Sequence, residues 1–146
     1  MGYDGFKHRN GTKIHACVNK DSIPLSIVIG PGNEHDSGRL LELVGGLYWK
    51  PWQLYADSAY DTESIRRSLE SMGVEPNIPV NAMNGRKPRQ YNIELYRKMI
   101  SAVERFFGWL KSFRRITIRY ERLASTYKAL VTTASIIIHL RYRILR

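Results

Sequence analysis

Cysteine is almost missing from this chain: Cys17 is the only one. No intramolecular disulfide framework is available to it, and the strand-like run 12–19 around Cys17 suits a thiol that fills a small buried space rather than one that reacts. Long hydrophobic runs are equally scarce. The longest, Ala129 to Leu140, is interrupted by Thr132, Thr133, Ser135 and His139 and falls short of the roughly 20 residues a membrane span needs; nor does the amino end show an apolar leader-like run. The third scarcity is acid near the carboxyl end. Residues 97–146 hold two carboxylates, Glu104 and Glu121, against 12 Lys and Arg, whereas residues 1–96 are balanced at 11 and 11.

The formal charge of +10 therefore belongs entirely to the last third of the chain. A positive field concentrated in this way favours a polyanion, because each phosphate neutralised releases condensed counterions whatever the base sequence. DNA or RNA is the expected partner, and a cytoplasmic, chromosome-associated location the expected setting. A generally basic protein whose charges only solvate a helix pair is the plainer alternative. With 146 residues, 43% apolar content and 11% aromatics, the chain is long enough for one globular domain with an ordinary core.

Periodicity gives the order of elements. Ile14, Ala16 and Val18 alternate, the 20–24 segment turns, and 25–30 is apolar, which together read as a hairpin. Pro31 to Asp36 breaks the strand. Asp36 or Ser37 caps a helix carrying Leu40, Leu41, Leu43 and Val44, which Gly45 and Gly46 stop. A buried strand ends at Asp57, a helix starts at Asp61 to Glu63 with Ile65, Leu69 and Met72 at helical spacing, and Gly73 ends it before a short strand over 74–80. Residues 81–91 form a basic loop, separating a sheet-forming part (1–80) from helices (92–146). The first helix runs from Asn92 to about Arg115, the second from about Ala124 to Leu145. Strands alternating with helices, then a helical pair, describe a single α/β domain.

Two carboxylates stand out. Asp57 closes an apolar strand, where ligands of open α/β sheets collect, and Ser58, Asp61 and Thr62 are able to cap the following helix without it. Glu104 lies beside the apolar stripe of a basic helix, aligned at seven-residue spacing with Arg97 and Lys111, and Gly108 leaves that face open. Phosphodiester chemistry needs oxygen ligands for divalent ions that activate a water or 3′-hydroxyl, and two carboxylates hold such ions poorly. His35, Asp36 and Asp61 are candidates for a supporting shell. Arg114, Arg115, Arg119, Arg122 and Lys128, interleaved with Phe113, Tyr120 and Tyr127, suit phosphates and unpaired bases. Trp49, Trp52 and Trp109 read as core or loop anchors.

Five stretches carry a resemblance: 2–15 (Gly-Tyr-Asp-Gly-Phe-Lys-His-Arg-Asn-Gly-Thr-Lys-Ile-His), 31–37, 55–61 (Tyr-Ala-Asp-Ser-Ala-Tyr-Asp), 77–79, and 103–116 continuing to Arg119-Tyr-Glu121. On these the chain resembles the catalytic domain of DDE insertion-sequence transposases. The resemblance implies a ribonuclease H-like mixed sheet with flanking helices and a basic carboxyl-terminal helical pair. It also implies Asp57 and Glu104 as catalytic residues binding Mg²⁺ or Mn²⁺, Lys111 as the basic residue after the glutamate, and homodimers acting on element ends and target DNA. The family often has a Tyr and an Arg seven and four residues before the glutamate, where this chain has Arg97 and Ile100, with Tyr96 one place away. The family's first aspartate lies on a central strand upstream of Gly2, and neither Asp4 nor Asp21 takes its place. The expectation is thus a carboxyl-terminal portion, from a decayed element or from the downstream frame of a two-frame gene whose upstream product supplies the strand. The alternatives are a DNA-binding remnant that occupies or regulates element ends, and a host nuclease of the same fold.

Overall fold

A computed structural model describes residues 2–4, 9–81, 83, 85, 87–118 and 123–144. The expected hairpin forms: β2 (Arg9–Val18) pairs antiparallel with β3 (Pro24–Pro31), and Ile14 lies opposite Ile29 and Ala16 opposite Ile27. The turn between them is tied by Asn19, whose side-chain oxygen accepts from the backbone N–H groups of Asp21 and Ile23, the local trick that makes Asn a turn residue. A short β1 (Gly2–Asp4) pairs with the other edge of β2 opposite residues 9–11. Next come α1 (Ser37–Gly45), β4 (Gln53–Tyr55), one turn of 3₁₀ helix (Ser58–Tyr60), α2 (Glu63–Ser71) and β5 (Glu75–Asn77). The carboxyl-terminal elements are α3 (Ile93–Lys111), α4 (Arg114–Thr117) and α5 (Ala124–Arg143).

Local signals explain most boundaries. Thr62 accepts from the Ile65 N–H and caps α2, and Gly73, at φ +74°, ends it in the left-handed conformation that glycine alone adopts without cost. Asn92 caps α3 by accepting from Leu95 N–H, with Glu94 in the first turn and Lys111 in the last, both favourable to the helix dipole. The expected helix reaching Arg115 is broken instead. The Ser112 hydroxyl donates to Trp109 O and the Thr117 hydroxyl to Lys111 O, both at 2.6 Å. These bonds take up carbonyls left at the end of α3, so Arg114 and Arg115 sit on a separate short helix.

The strands make two sheets: a three-stranded antiparallel one in the order β1-β2-β3, and a parallel pair β4-β5. Two cores lie on opposite faces of β2. Leu40, Val44, Leu54, Ala56, Ile65, Leu69, Val74 and Ile78 join α1, α2, β4 and β5, with Cys17 packed against them. On the other face Ile14, Ala16 and Val18 pack on the cluster of Phe106, Leu110, Tyr127, Val131 and Ile138 from α3 and α5. The alternation along β2 thus feeds helices on both sides of the sheet, the mixed α/β arrangement expected. The helical pair is joined by Trp109 of α3 stacked on Tyr142 of α5, ring centroids 3.9 Å apart.

Candidate functional site

Asp57 and Glu104 line one cleft of about 530 Å³. Asp57 follows β4 directly. Since Leu54 and Ala56 point into the core with α1 and α2, strand alternation sends Asp57 to the opposite side, toward α3. Glu104 stands on α3, exposed, with no hydrogen bond or ion pair among the described residues. Asp57 is exposed too, but it has a structural task that the sequence reading denied it: Oδ1 accepts from Ala59 N–H at 2.8 Å and caps the 3₁₀ turn. Its second oxygen stays available.

Tyr60 and Tyr96 report the field of this carboxylate. The Tyr60 hydroxyl is held above its ordinary pKa by burial, then by the negative charges of Asp36 and Asp57. Tyr96 on α3 shifts the same way, by burial and then by Asp57. The tyrosine one place off the family's usual position therefore lies close enough to Asp57 to feel it, while Arg97 is exposed.

Behind Asp57 lies a buried polar cluster that the sequence reading did not assemble. His15, 4% exposed, shares a hydrogen bond through Nδ1 with Tyr60 Oη at 3.2 Å. Its Nε2 lies 3.3 Å from Glu34 Oε1, near enough for attraction but outside hydrogen-bonding geometry. Glu34 also pairs with Arg39 at 2.9 Å, and Gly30 leaves the room its carboxylate occupies, since a Cβ there would overlap Glu34. The sequence signal was the alternation itself, which puts His15 on the side of β2 facing α1.

The other candidates separate. Asp36 leaves the α1 cap unmade and pairs with Lys13 at 2.8 Å, and His35 is exposed and outside the cleft. Asp61 is buried and committed to structure: it pairs with Arg66 at 2.8 Å and accepts from Asn81 N–H. Lys111, Arg114 and Arg115 are exposed at the α3–α4 junction. Arg119 and Arg122 lie outside the described residues. Trp49 and Trp52, expected as anchors, are instead 81% and 84% exposed, and Trp49 borders the cleft. Among the described residues no group of three His, Cys, Asp or Glu is placed to hold a metal ion. What the cleft offers is two carboxylates, the hard oxygen donors that suit Mg²⁺ completed by water and phosphate.

An α/β domain with two carboxylates from separate elements on one cleft, beside a basic helical surface, is the class of protein these features define. A sequence model of the transposase DDE domain matches residues 1–138, and the chain belongs to that family. It is 34% identical over 131 residues to a Burkholderia cepacia protein named as a transposase for insertion sequence element IS402, covering 83% of this chain and 59% of that one. A Brucella ovis protein named as a transposase for insertion sequence element IS6501 is 32% identical over 131 residues, 89% of this chain and 98% of its own length. The chain thus spans about three fifths of the first relative and nearly all of the second. No solved structure matches.

Proposed function

We propose that the chain is the carboxyl-terminal catalytic portion of an insertion-sequence transposase of ribonuclease H-like fold, working in metal-dependent DNA cleavage and strand transfer. The observation that carries this is the convergence of Asp57 and Glu104 on one cleft. Asp57 Oδ2 and the Glu104 carboxylate would hold Mg²⁺ or Mn²⁺, which when bound activates the attacking hydroxyl or water and stabilises the leaving oxygen. Asp57 is held in place by its own cap bond and by the Tyr60 turn that His15 anchors. Tyr96 on α3 feels the charge of the same carboxylate. Arg97, Lys111, Arg114 and Arg115 supply the phosphate-binding surface, and Arg119 and Arg122 extend it in sequence. The protein works as a homodimer on element ends and target DNA, in the cytoplasm at the chromosome. Two carboxylates bind divalent ions weakly, so the third comes from further polypeptide, either upstream in the natural product or from a second reading frame.

The absence of a three-ligand cluster among the described residues favours a second function, a DNA-binding remnant that occupies element ends without cutting. Nicking of supercoiled plasmid bearing the element ends, by a reconstruction that includes the upstream polypeptide, separates the two. Mg²⁺-dependent nicking that disappears in Asp57→Asn and Glu104→Gln, with binding retained, supports the transposase. Nicking equally well by both variants would refute the site, and binding without any nicking would leave the remnant.

A further inference from the structure

The buried cluster behind Asp57 is drawn from β2, β3, α1 and the 3₁₀ turn, and its geometry has a direction. Glu34 is fastened twice: Lys13 Nζ on β2 donates to its backbone oxygen at 2.7 Å, and Arg39 Nε on α1 donates to Oε2 at 2.9 Å. Gly30 on β3, opposite Lys13, leaves the space that its carboxylate fills. Oε1 is then left facing His15 Nε2 at 3.3 Å, and both atoms are buried with no other partner among the described residues. A buried carboxylate oxygen without a donor bears the full desolvation cost of a charged group, so the imidazole proton belongs on Nε2. That leaves Nδ1 as an acceptor, and the Tyr60 hydroxyl, 3.2 Å away, as its donor. The surrounding charges agree. Burial, then the negative charges of Asp36 and Asp57, hold the phenol above its ordinary pKa and so keep its proton in place.

We infer that Glu34, His15 and Tyr60 form a directed hydrogen-bond relay, from the Tyr60 hydroxyl to His15 Nδ1 and from His15 Nε2–H to Glu34 Oε1, which positions the turn that carries Asp57. The relay stands on these distances alone; its service to a metal-binding carboxylate rests on the function proposed above. A single turn of 3₁₀ helix is weak by itself, because its hydrogen-bond geometry is poor. This one needs outside fastening. Tyr60 ties it to β2 through His15, whose own strand is paired there with Val28 of β3, and the next residue, Asp61, ties it to Arg66 of α2. The Asp57 backbone oxygen accepts from Tyr60 N–H at 3.1 Å, so a displacement of the phenol reaches Asp57 within one turn. Stability alone does not call for polar groups here, since apolar ones of similar volume often replace a buried charged pair without loss. Direction does. With its proton given to His15, the Tyr60 oxygen offers only lone pairs to the cleft that both residues line, which suits a water or another donor and not a phosphate oxygen. Tyr60 and His15 are therefore positioning residues rather than phosphate ligands.

The test uses the full chain and begins with ¹⁵N NMR of the His15 imidazole at pH 8. Nε2 is expected as the protonated nitrogen and Nδ1 as the bare one; a proton on Nδ1, as in the other tautomer or in the imidazolium, overturns the relay. Hydrogen exchange then follows the Ala59 amide, which donates to Asp57 Oδ1. It should quicken about fivefold or more, by local opening, in His15→Leu and in Tyr60→Phe, and return close to the native rate in His15→Asn, whose side-chain oxygen takes the place of Nδ1. The amide of Leu69, fully buried on α2, is the reference for global opening. Quickening at Ala59 no greater than at Leu69, or no return in His15→Asn, overturns the positioning role. In the reconstruction that includes the upstream polypeptide, Tyr60→Phe should raise the Mg²⁺ concentration for half-maximal nicking about tenfold, with DNA affinity unchanged; an unchanged Mg²⁺ requirement likewise overturns it. No Mg²⁺-dependent nicking by the native reconstruction, with both NMR results as expected, leaves the relay standing and removes the catalytic assignment instead.

Discussion

Removing Asp61 should unfold this protein more readily than removing Asp57, although both belong to one short stretch of sequence. The Asp61 side chain is fully buried and that of Arg66 is 3% exposed. Arg66 Nε donates to Asp61 Oδ1, Nη2 pairs with the same oxygen at 2.8 Å and donates to Ile78 O at 2.6 Å, and Asp61 Oδ2 accepts from Asn81 N–H. Asp61→Ala leaves a buried guanidinium with one acceptor and an N–H with none. Breaking a buried pair from one side costs about 3–5 kcal/mol, a large part of the roughly 5–15 kcal/mol of a typical domain. At about 2–4 °C per kcal/mol, the midpoint of thermal unfolding should fall by about 6–20 °C. Arg66→Met should cost a similar amount, because it strands the carboxylate. The double variant should cost less than the sum by about 2–3 kcal/mol, since neither charge is then left unpaired. Asp57→Asn, at an exposed cap, should move stability by about 1 kcal/mol or less. The assay is thermal or denaturant unfolding of the four variants. Additive costs for Asp61→Ala and Arg66→Met, or an Asp57→Asn loss as large as that of Asp61→Ala, would refute the division between structural and functional aspartates.

Burial pushes the Cys17 thiol from 9.0 up to about 11. The folded chain then holds this proton more tightly than the unfolded one, so the associated stability is complete below pH 9 and is lost as pH rises toward 11, up to about 2–3 kcal/mol. Denaturant midpoints at pH 8 and pH 10 should diverge less in Cys17→Ala than in the native chain; equal divergence refutes the assignment. Gly30→Ala drives a methyl into Glu34 and should cost about 1–3 kcal/mol, most of it recovered in the Gly30→Ala, Glu34→Ala double variant, as unfolding titrations will show. For DNA binding, Arg114→Ala and Arg115→Ala should each lower the slope of log affinity against log salt by about 1, without changing preference among sequences. An unchanged slope removes these residues from the phosphate surface.

Where the sequence was legible, it was so because local chemistry decided the outcome. The hairpin follows from alternation at Ile14, Ala16 and Val18, the start of α2 from Thr62, and the end of α2 from a glycine at positive φ. The division into two sheets was not legible, because periodicity reports which face of a strand is buried and says nothing of which edge is paired. Residues 14–18 look the same from sequence whether or not a neighbour stands beside them. The break after Lys111 was hidden for another reason. Apolar residues Leu110, Phe113 and Ile116 keep helical spacing across it, and two hydroxyls, of Ser112 and Thr117, decide that the chain turns. Trp49 and Trp52 misled because aromatic bulk usually signals an anchor, whereas here both rings stand in solvent, Trp49 at the border of the cleft.

The candidate site shows the same division more sharply. Capping and ligand binding are not exclusive at Asp57, because a carboxylate has two oxygens: Oδ1 is fixed by Ala59 N–H while Oδ2 remains open. The cap bond is what orients the free oxygen, so the structural task is compatible with the chemistry proposed for this residue. Tyr96 makes a parallel case. Counting back seven from Glu104 gives Arg97, and in an α-helix positions seven apart share a face. Glu104 and Arg97 are accordingly both exposed, Glu104 at the border of the cleft. Tyr96 is rotated about 100° from Arg97, onto the stripe of Ile100, Val103 and Phe107 that borders the cleft, and there its hydroxyl senses Asp57. In this chain the position seven before Glu104 is therefore an exposed arginine, and the tyrosine beside it is the residue that feels the charge of the strand-end carboxylate.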